Sequence, residues 1–175
     1  MSYLPARSGT FFCYIFRVRA FVCLVSLCVA LSVASAEPFV VIVRHAEKAN
    51  NDPKDPDLSP SGHVRAEALA RILKDAGITT ILISEFKRTQ QTAAPTSRST
   101  GIAPTIVAGK DIGALVSKLR RLNGNALVVG HGNTIPDIIK ALGIEPPIEI
   151  PDSDYSELFV VTIGAKPQLL HVHYP

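Results

Sequence analysis

Cysteine is missing from most of this chain. Cys13, Cys23 and Cys28 are the only three, and all lie within the first 36 positions. That segment reads as an export signal. Arg7, Arg17 and Arg19 form its positive start, Ala20 to Val33 its apolar core, and Ala34-Ser35-Ala36 offers small residues for cleavage before Glu37. The apolar core is short for a membrane span, and Leu27 before Cys28 does not suit a lipid-anchor site. Cleavage leaves residues 37–175 with no disulfide, no thiolate nucleophile and no cysteine metal site. It also places the product in the periplasm or outside the cell.

An excess of charge is missing too. The net charge of +3 comes from the three signal arginines, so the remaining chain balances its 15 acidic residues with as many Lys and Arg. A neutral domain gives no electrostatic reason to expect nucleic acid or an anionic membrane as partner. Membrane contact is expected only through the signal. No internal repeat and no second domain's worth of sequence is visible, so residues 37–175 read as one domain with one core.

The stretch that stands out is Phe-Val-Val-Ile-Val-Arg-His-Ala-Glu-Lys, residues 39–48. An apolar, β-branched run of this kind fits a strand buried on both faces of a parallel sheet. Arg44 and His45 then sit at its carboxyl end, where open α/β sheets bind their ligands. Asn50 to Pro60 is a polar loop. Its Asp52, Asp55 and Asp57 lack the spacing and glycine of a calcium loop. Ser59-Pro60 predicts the start of a helix running to Ala76, closed by Gly77.

Ile78 to Ile83 predicts a second strand, followed by a turn and a helix ending near Thr100. A short strand at Thr105 to Val107 precedes a helix that Asp111 can cap. Ala126 to Val129 is the fourth strand and delivers Gly130-His131-Gly132-Asn133. The next helix has Pro136 near its start and Gly143 past its end. Glu157 to Ile163 and Gln168 to Tyr174 predict a hairpin at the sheet edge. The alternation predicts an α/β domain, a three-layer α/β/α sandwich around a mainly parallel sheet.

In such a sheet the first, second and fourth strands bring Arg44, His45, Arg88 and His131 to one end. Two guanidiniums and two imidazoles in one hollow form a trap for a dianion, with phosphate the natural candidate.

Arg44-His45, then Ser84-x-x-x-Arg88 with Thr92-Ala93 beyond, then Gly130-His131-Gly132-Asn133 resemble in order the motifs of the histidine phosphatase superfamily, which includes the phosphoglycerate mutases. The resemblance implies the phosphoglycerate mutase-like fold and a phosphomonoester hydrolase with no cofactor and no metal. It implies that His45 attacks phosphorus and that Arg44, Arg88 and His131 hold the phosphoryl oxygens, with Gly132 and Asn133 helping to bind substrate. Asp111 is the first candidate for proton donor and Glu47 the second. A helix cap is the alternative role of Asp111, and an ion pair that of Glu47.

Two positions depart from the family pattern. Ala46 puts a methyl group where glycine is usual, close to the expected phosphate. Glu85 stands where proline is common, which alters the charge of the rim. The short connections argue against a mutase and fit the small phosphohistidine-protein phosphatases of the family. The export signal points instead to a small phosphorylated substrate of the cell envelope. Two competing readings are a phosphate- or phosphosugar-binding module without turnover, and a zinc enzyme that adds His171 and His173 to His45 and His131. The loop Asn50 to Pro60 and the segment Glu145 to Ser156 are expected to form the rim. The sequence does not give the oligomeric state.

Overall fold

The computed structural model of the protein describes residues 37–145 and 148–175. The expected export signal, residues 1–36, lies outside the described residues. In chain order the elements are β1 (Phe39–Arg44), α1 (Pro60–Ile72), β2 (Ile78–Ile83), α2 (Lys87–Thr100), β3 (Thr105–Ile106), α3 (Ile112–Leu119), β4 (Asn125–Gly130), α4 (Ile135–Ala141), β5 (Glu157–Thr162) and β6 (Leu169–His173).

The strands form one sheet in the order β3-β2-β4-β1-β5-β6. Four strands run parallel; β5 lies antiparallel to β1, and β6 antiparallel to β5. The expected hairpin therefore covers the outer edge of β1. Burial on both faces explains why β1 has no polar residue before Arg44. Val40 and Ile42 join a core with Leu119 of α3 and Ile138 of α4. Val41 and Val43 join a second core with Leu69 of α1 and Ala93 of α2. Each buried Val, Leu or Ile side chain contributes roughly 1.5–3 kcal/mol by leaving water. Helices thus cover both faces, and the domain is a three-layer α/β/α sandwich.

Local signals set the helix ends. Ser59 Oγ accepts from Gly62 N at the start of α1, and Gly101, at φ +74°, ends α2 in the left-handed region. α1 stops at Ile72 instead of Ala76, because the chain leaves the α ladder for turn bonds such as Ala76 N to Leu73 O. Gly62 is fixed by packing. A Cβ there would collide with the backbone carbonyl of Glu47, so the first turn of α1 backs directly onto the chain just beyond His45.

Candidate active site

Strand register brings the two histidines together. β1 and β4 pair in parallel up to Arg44 and Gly130, and His45 N continues the ladder by donating to Gly130 O. The next residue on each strand is a histidine. The two rings lie with centroids 5.4 Å apart, nearly edge to face. His45 is 4% exposed and His131 8%.

The nitrogens of His45 are distinguished by one contact. Nδ1 lies 2.8 Å from the carbonyl oxygen of Ala46. A carbonyl only accepts, so Nδ1 carries the proton and Nε2 keeps a free lone pair. Burial is the largest influence on this ring and lowers its pKa. The Ala46 contact opposes that shift, while His131, Arg88 and Arg44 reinforce it, and the pKa falls to about 3. His131 Nε2 lies 2.9 Å from Ser84 Oγ. Burial, then Arg88, lowers its pKa to about 4, against a raising influence from Glu85. Both rings are neutral near pH 7.

The arginines are clamped from outside the local sequence. Arg44 Nη1 donates to the carbonyls of Pro151 at 3.1 Å, Asp152 at 2.9 Å and Asp154 at 2.9 Å. Its guanidinium also lies 4.2 Å from the centre of the Tyr155 ring. Gly132 backs onto it, for a Cβ there would sit 3.5 Å from Arg44 Nε. Arg88 lies 4.3 Å from the Phe86 ring centre and 3.7 Å from Asp55 Oδ1. Both arginines retain a buried Nε–H without a partner among the described residues. Asn133, which is exposed, lines a hollow with Glu85, Phe86, Arg88, Lys110 and His131.

Both segments expected to form the rim reach the arginines. Asp55, in the Asn50–Pro60 loop, also accepts from Lys87 N at the start of α2. The Pro151–Asp154 carbonyls act by holding Arg44. Thr92 Oγ1 accepts from Ala46 N at 3.0 Å and donates to Arg88 O at 2.7 Å, tying the nucleophile's loop to α2. Sequence reasoning quoted Thr92 as part of a motif without this role, and it missed Tyr155 altogether. The Thr92–Ala46 and Tyr155–Arg44 contacts have no local signal, since their partners are distant in sequence.

The Ala46 methyl group has a place of its own, fully buried in a small cluster with Leu58 and Ala66. Alanine fits because the loop and α1 leave a methyl-sized space there.

Glu47, Asp111 and Glu85 are each engaged. Glu47 accepts from Arg65 Nε and Nη2, the shortest contact being 2.8 Å. Burial alone would raise its pKa, but the Arg65 hydrogen bonds hold it below the usual carboxylate value. Asp111 is exposed and caps α3, its Oδ1 accepting from Ala114 N at 2.8 Å. It also borders a small cavity shared with Ser84, Gly109 and His131. Glu85 Oε2 accepts from Gly109 N at 2.8 Å. Backbone N–H groups of Glu85 and Gly109 keep its pKa low. His171 and His173 are not grouped with His45 and His131; they lie with Glu157 on the β5–β6 hairpin.

Known proteins share this architecture. The protein histidine phosphatase SixA in complex with tungstate superposes with a TM-score of 0.65 at 21% identity, over 77% of this chain and 96% of its own. A candidate phosphohistidine phosphatase SixA from Agrobacterium tumefaciens gives a TM-score of 0.59 at 20% identity, over 77% and 97%. The mycobacterial glucosyl-3-phosphoglycerate phosphatase in complex with VO3 gives 0.60 at 15% identity, over 78% and 98%. No curated protein sequence matches the chain. Residues 40–111, which carry Arg44, His45, Arg88 and Asp111, match the sequence model of the histidine phosphatase superfamily (branch 1), and the described domain has the fold of that superfamily.

Proposed function

We propose that the chain is a phosphomonoester hydrolase that works through a phosphohistidine on His45. The observation that carries this reading is the contact from His45 Nδ1 to the Ala46 carbonyl. It leaves Nε2 as a neutral nucleophile inside a hollow bounded by two guanidiniums. Nε2 forms a bond to phosphorus as the bond from phosphorus to the leaving oxygen breaks. Arg44, Arg88 and His131 stabilise the phosphoryl oxygens. Water then adds to phosphorus, the N–P bond breaks and inorganic phosphate departs. Two structural neighbours are complexed with oxyanions, tungstate and VO3, which is in keeping with a protein of this fold that binds a phosphoryl group.

The carboxyl groups named as candidate acids are engaged in other contacts. Glu47 and Glu85 are both kept ionised, and Asp111 is engaged as a cap. Good substrates are therefore those whose leaving group needs little help from an acid, such as an aryl phosphate. The amino-terminal pattern supports export, which places the substrate among phosphorylated small molecules of the periplasm or cell envelope.

The test is turnover of p-nitrophenyl phosphate by residues 37–175 and by its His45→Ala variant, with an alkaline quench to trap labelled enzyme. The variant is expected to lose roughly 10⁴-fold in rate and all base-stable, acid-labile phosphate. Equal rates would sink the proposal. The engagement of Glu47 and Asp111 also favours a second reading, a phosphate- or phosphosugar-binding module on the same fold. That reading expects tight phosphate binding with no labelled enzyme.

A further inference from the structure

The β5–β6 hairpin carries a second cluster of chemistry-bearing side chains. Glu157 and His173 are directly paired across the two strands, and His171 lies two residues along β6 on the same face. Ligand atoms of the three residues all lie within 4.8 Å of one another. Glu157 is only 5% exposed, and among the described residues its one ion-pair partner is His171 Nε2. A nearly buried carboxylate facing two imidazoles, with no Lys or Arg to answer it, is an arrangement that welcomes a cation.

We propose that Glu157, His171 and His173 bind a divalent transition metal ion of the zinc class, outside the phosphate hollow. Two imidazoles and one carboxylate are a ligand set zinc accepts, with water completing a tetrahedron. Bonds of about 2.0–2.2 Å require the three ligand atoms to close to roughly 3.5 Å. The two exposed imidazoles can supply that movement by side-chain rotation while Glu157 stays anchored. Support behind the ligands is already in place. Ser156 Oγ lies 3.0 Å from His173 Nδ1 and donates to Asp154 Oδ1 at 2.7 Å. That contact orients the His173 ring and leaves Nε2 for the metal. The Phe159 ring stacks on His171 at 4.4 Å between centroids and limits its tilt. Bound metal clamps β6, the outermost strand, to β5. The site is independent of the reading of His45.

The experiment titrates ZnCl2 into residues 37–175 and follows stoichiometry by calorimetry and Tm by thermal melting. One ion is expected to bind, and zinc at about 100 times its Kd is expected to raise Tm by on the order of 10 °C. His171→Ala and His173→Ala, both changes at exposed positions, are expected to weaken binding by roughly 100-fold or more. Glu157→Gln keeps the shape of the buried residue and is expected to do the same. His45→Ala is expected to bind zinc as the wild type does. Absence of zinc binding to the wild type would overturn the site, as would unchanged affinity in both histidine variants. Loss of binding in His45→Ala alone would move the metal to the hollow and overturn it equally.

Discussion

Two pairs of histidines in one small domain stand in opposite electrostatic surroundings. His45 and His131 are buried beside Arg44 and Arg88, with Asp55 against Arg88 and Glu85 engaged by Gly109 N–H. His171 and His173 stand on an edge strand beside the buried carboxylate of Glu157. The same side chain therefore serves two opposite ends. Buried, with cations as a further influence, an imidazole loses its proton, keeps a lone pair and suits a hollow for an anion. Beside a carboxylate it becomes half of a cation site. Counter-charge, more than residue type, distinguishes the two clusters.

Removing the counter-charge of the hollow is the most damaging way to probe this contrast. Arg88→Ala deletes a guanidinium that burial has partly stripped of water and that keeps a free Nε–H. The expected result is a loss of roughly 10²–10³-fold in kcat/KM for p-nitrophenyl phosphate. Zinc uptake at the β5–β6 hairpin should be unchanged. A rate within a fewfold of wild type would remove Arg88 from the anion cradle, and altered zinc affinity would join the two clusters into one.

Acid probes the same contrast through stability. The pKa of His45 falls to about 3 and that of His131 to about 4, both below the ordinary 6.5. Between these values the unfolded chain binds protons that the folded chain refuses, so stability is complete above about pH 6.5 and declines as pH falls. Each ring is expected to cost on the order of 2 kcal/mol between pH 7 and pH 5. Glu47 and Glu85 have pKa values below the usual 4.5, so their contribution fades only in more acidic solution. Urea unfolding at pH 7, 6 and 5 measures the histidine effect. A flat profile, or an NMR titration of His45 with its midpoint near 6.5, would show that the hollow does not keep its imidazoles neutral.

Much of the hollow was legible because it is written at strand ends. The unbroken Val40–Val43 run announced a doubly buried strand, and parallel strands necessarily bring Arg44, Arg88 and His131 to one side. Ser59, Pro60 and Gly101 marked helix ends by local chemistry that any sequence displays. What escaped was contact between distant segments. Arg44 is held by carbonyls 107 to 110 residues away, and a carbonyl leaves no trace in sequence. The Ala46 methyl group found its space between Leu58 and Ala66, which no local pattern could reveal. Strand alternation alone puts His171 and His173 on one face, yet Glu157 joins them only through strand register.

Asp111 offers the finest test, because one residue has two roles to separate. Its carboxylate accepts from Ala114 N and caps α3, yet it also borders the cavity that reaches His131. Asparagine caps a helix about as well as aspartate but cannot deliver a proton. Asp111→Asn is therefore expected to change stability by no more than about 0.5 kcal/mol and the rate on an aryl phosphate by less than about twofold. Asp111→Ala, which removes the cap, is expected to cost about 1 kcal/mol in urea unfolding. Rates on an aryl and an alkyl phosphate, measured for both variants, decide the matter. A drop of roughly 10²-fold or more on the alkyl ester with Asp111→Asn would make this carboxyl the general acid. The hollow would then contain a proton donor as well as its cations, and its contrast with the Glu157 cluster would lie in the protonation of its acid.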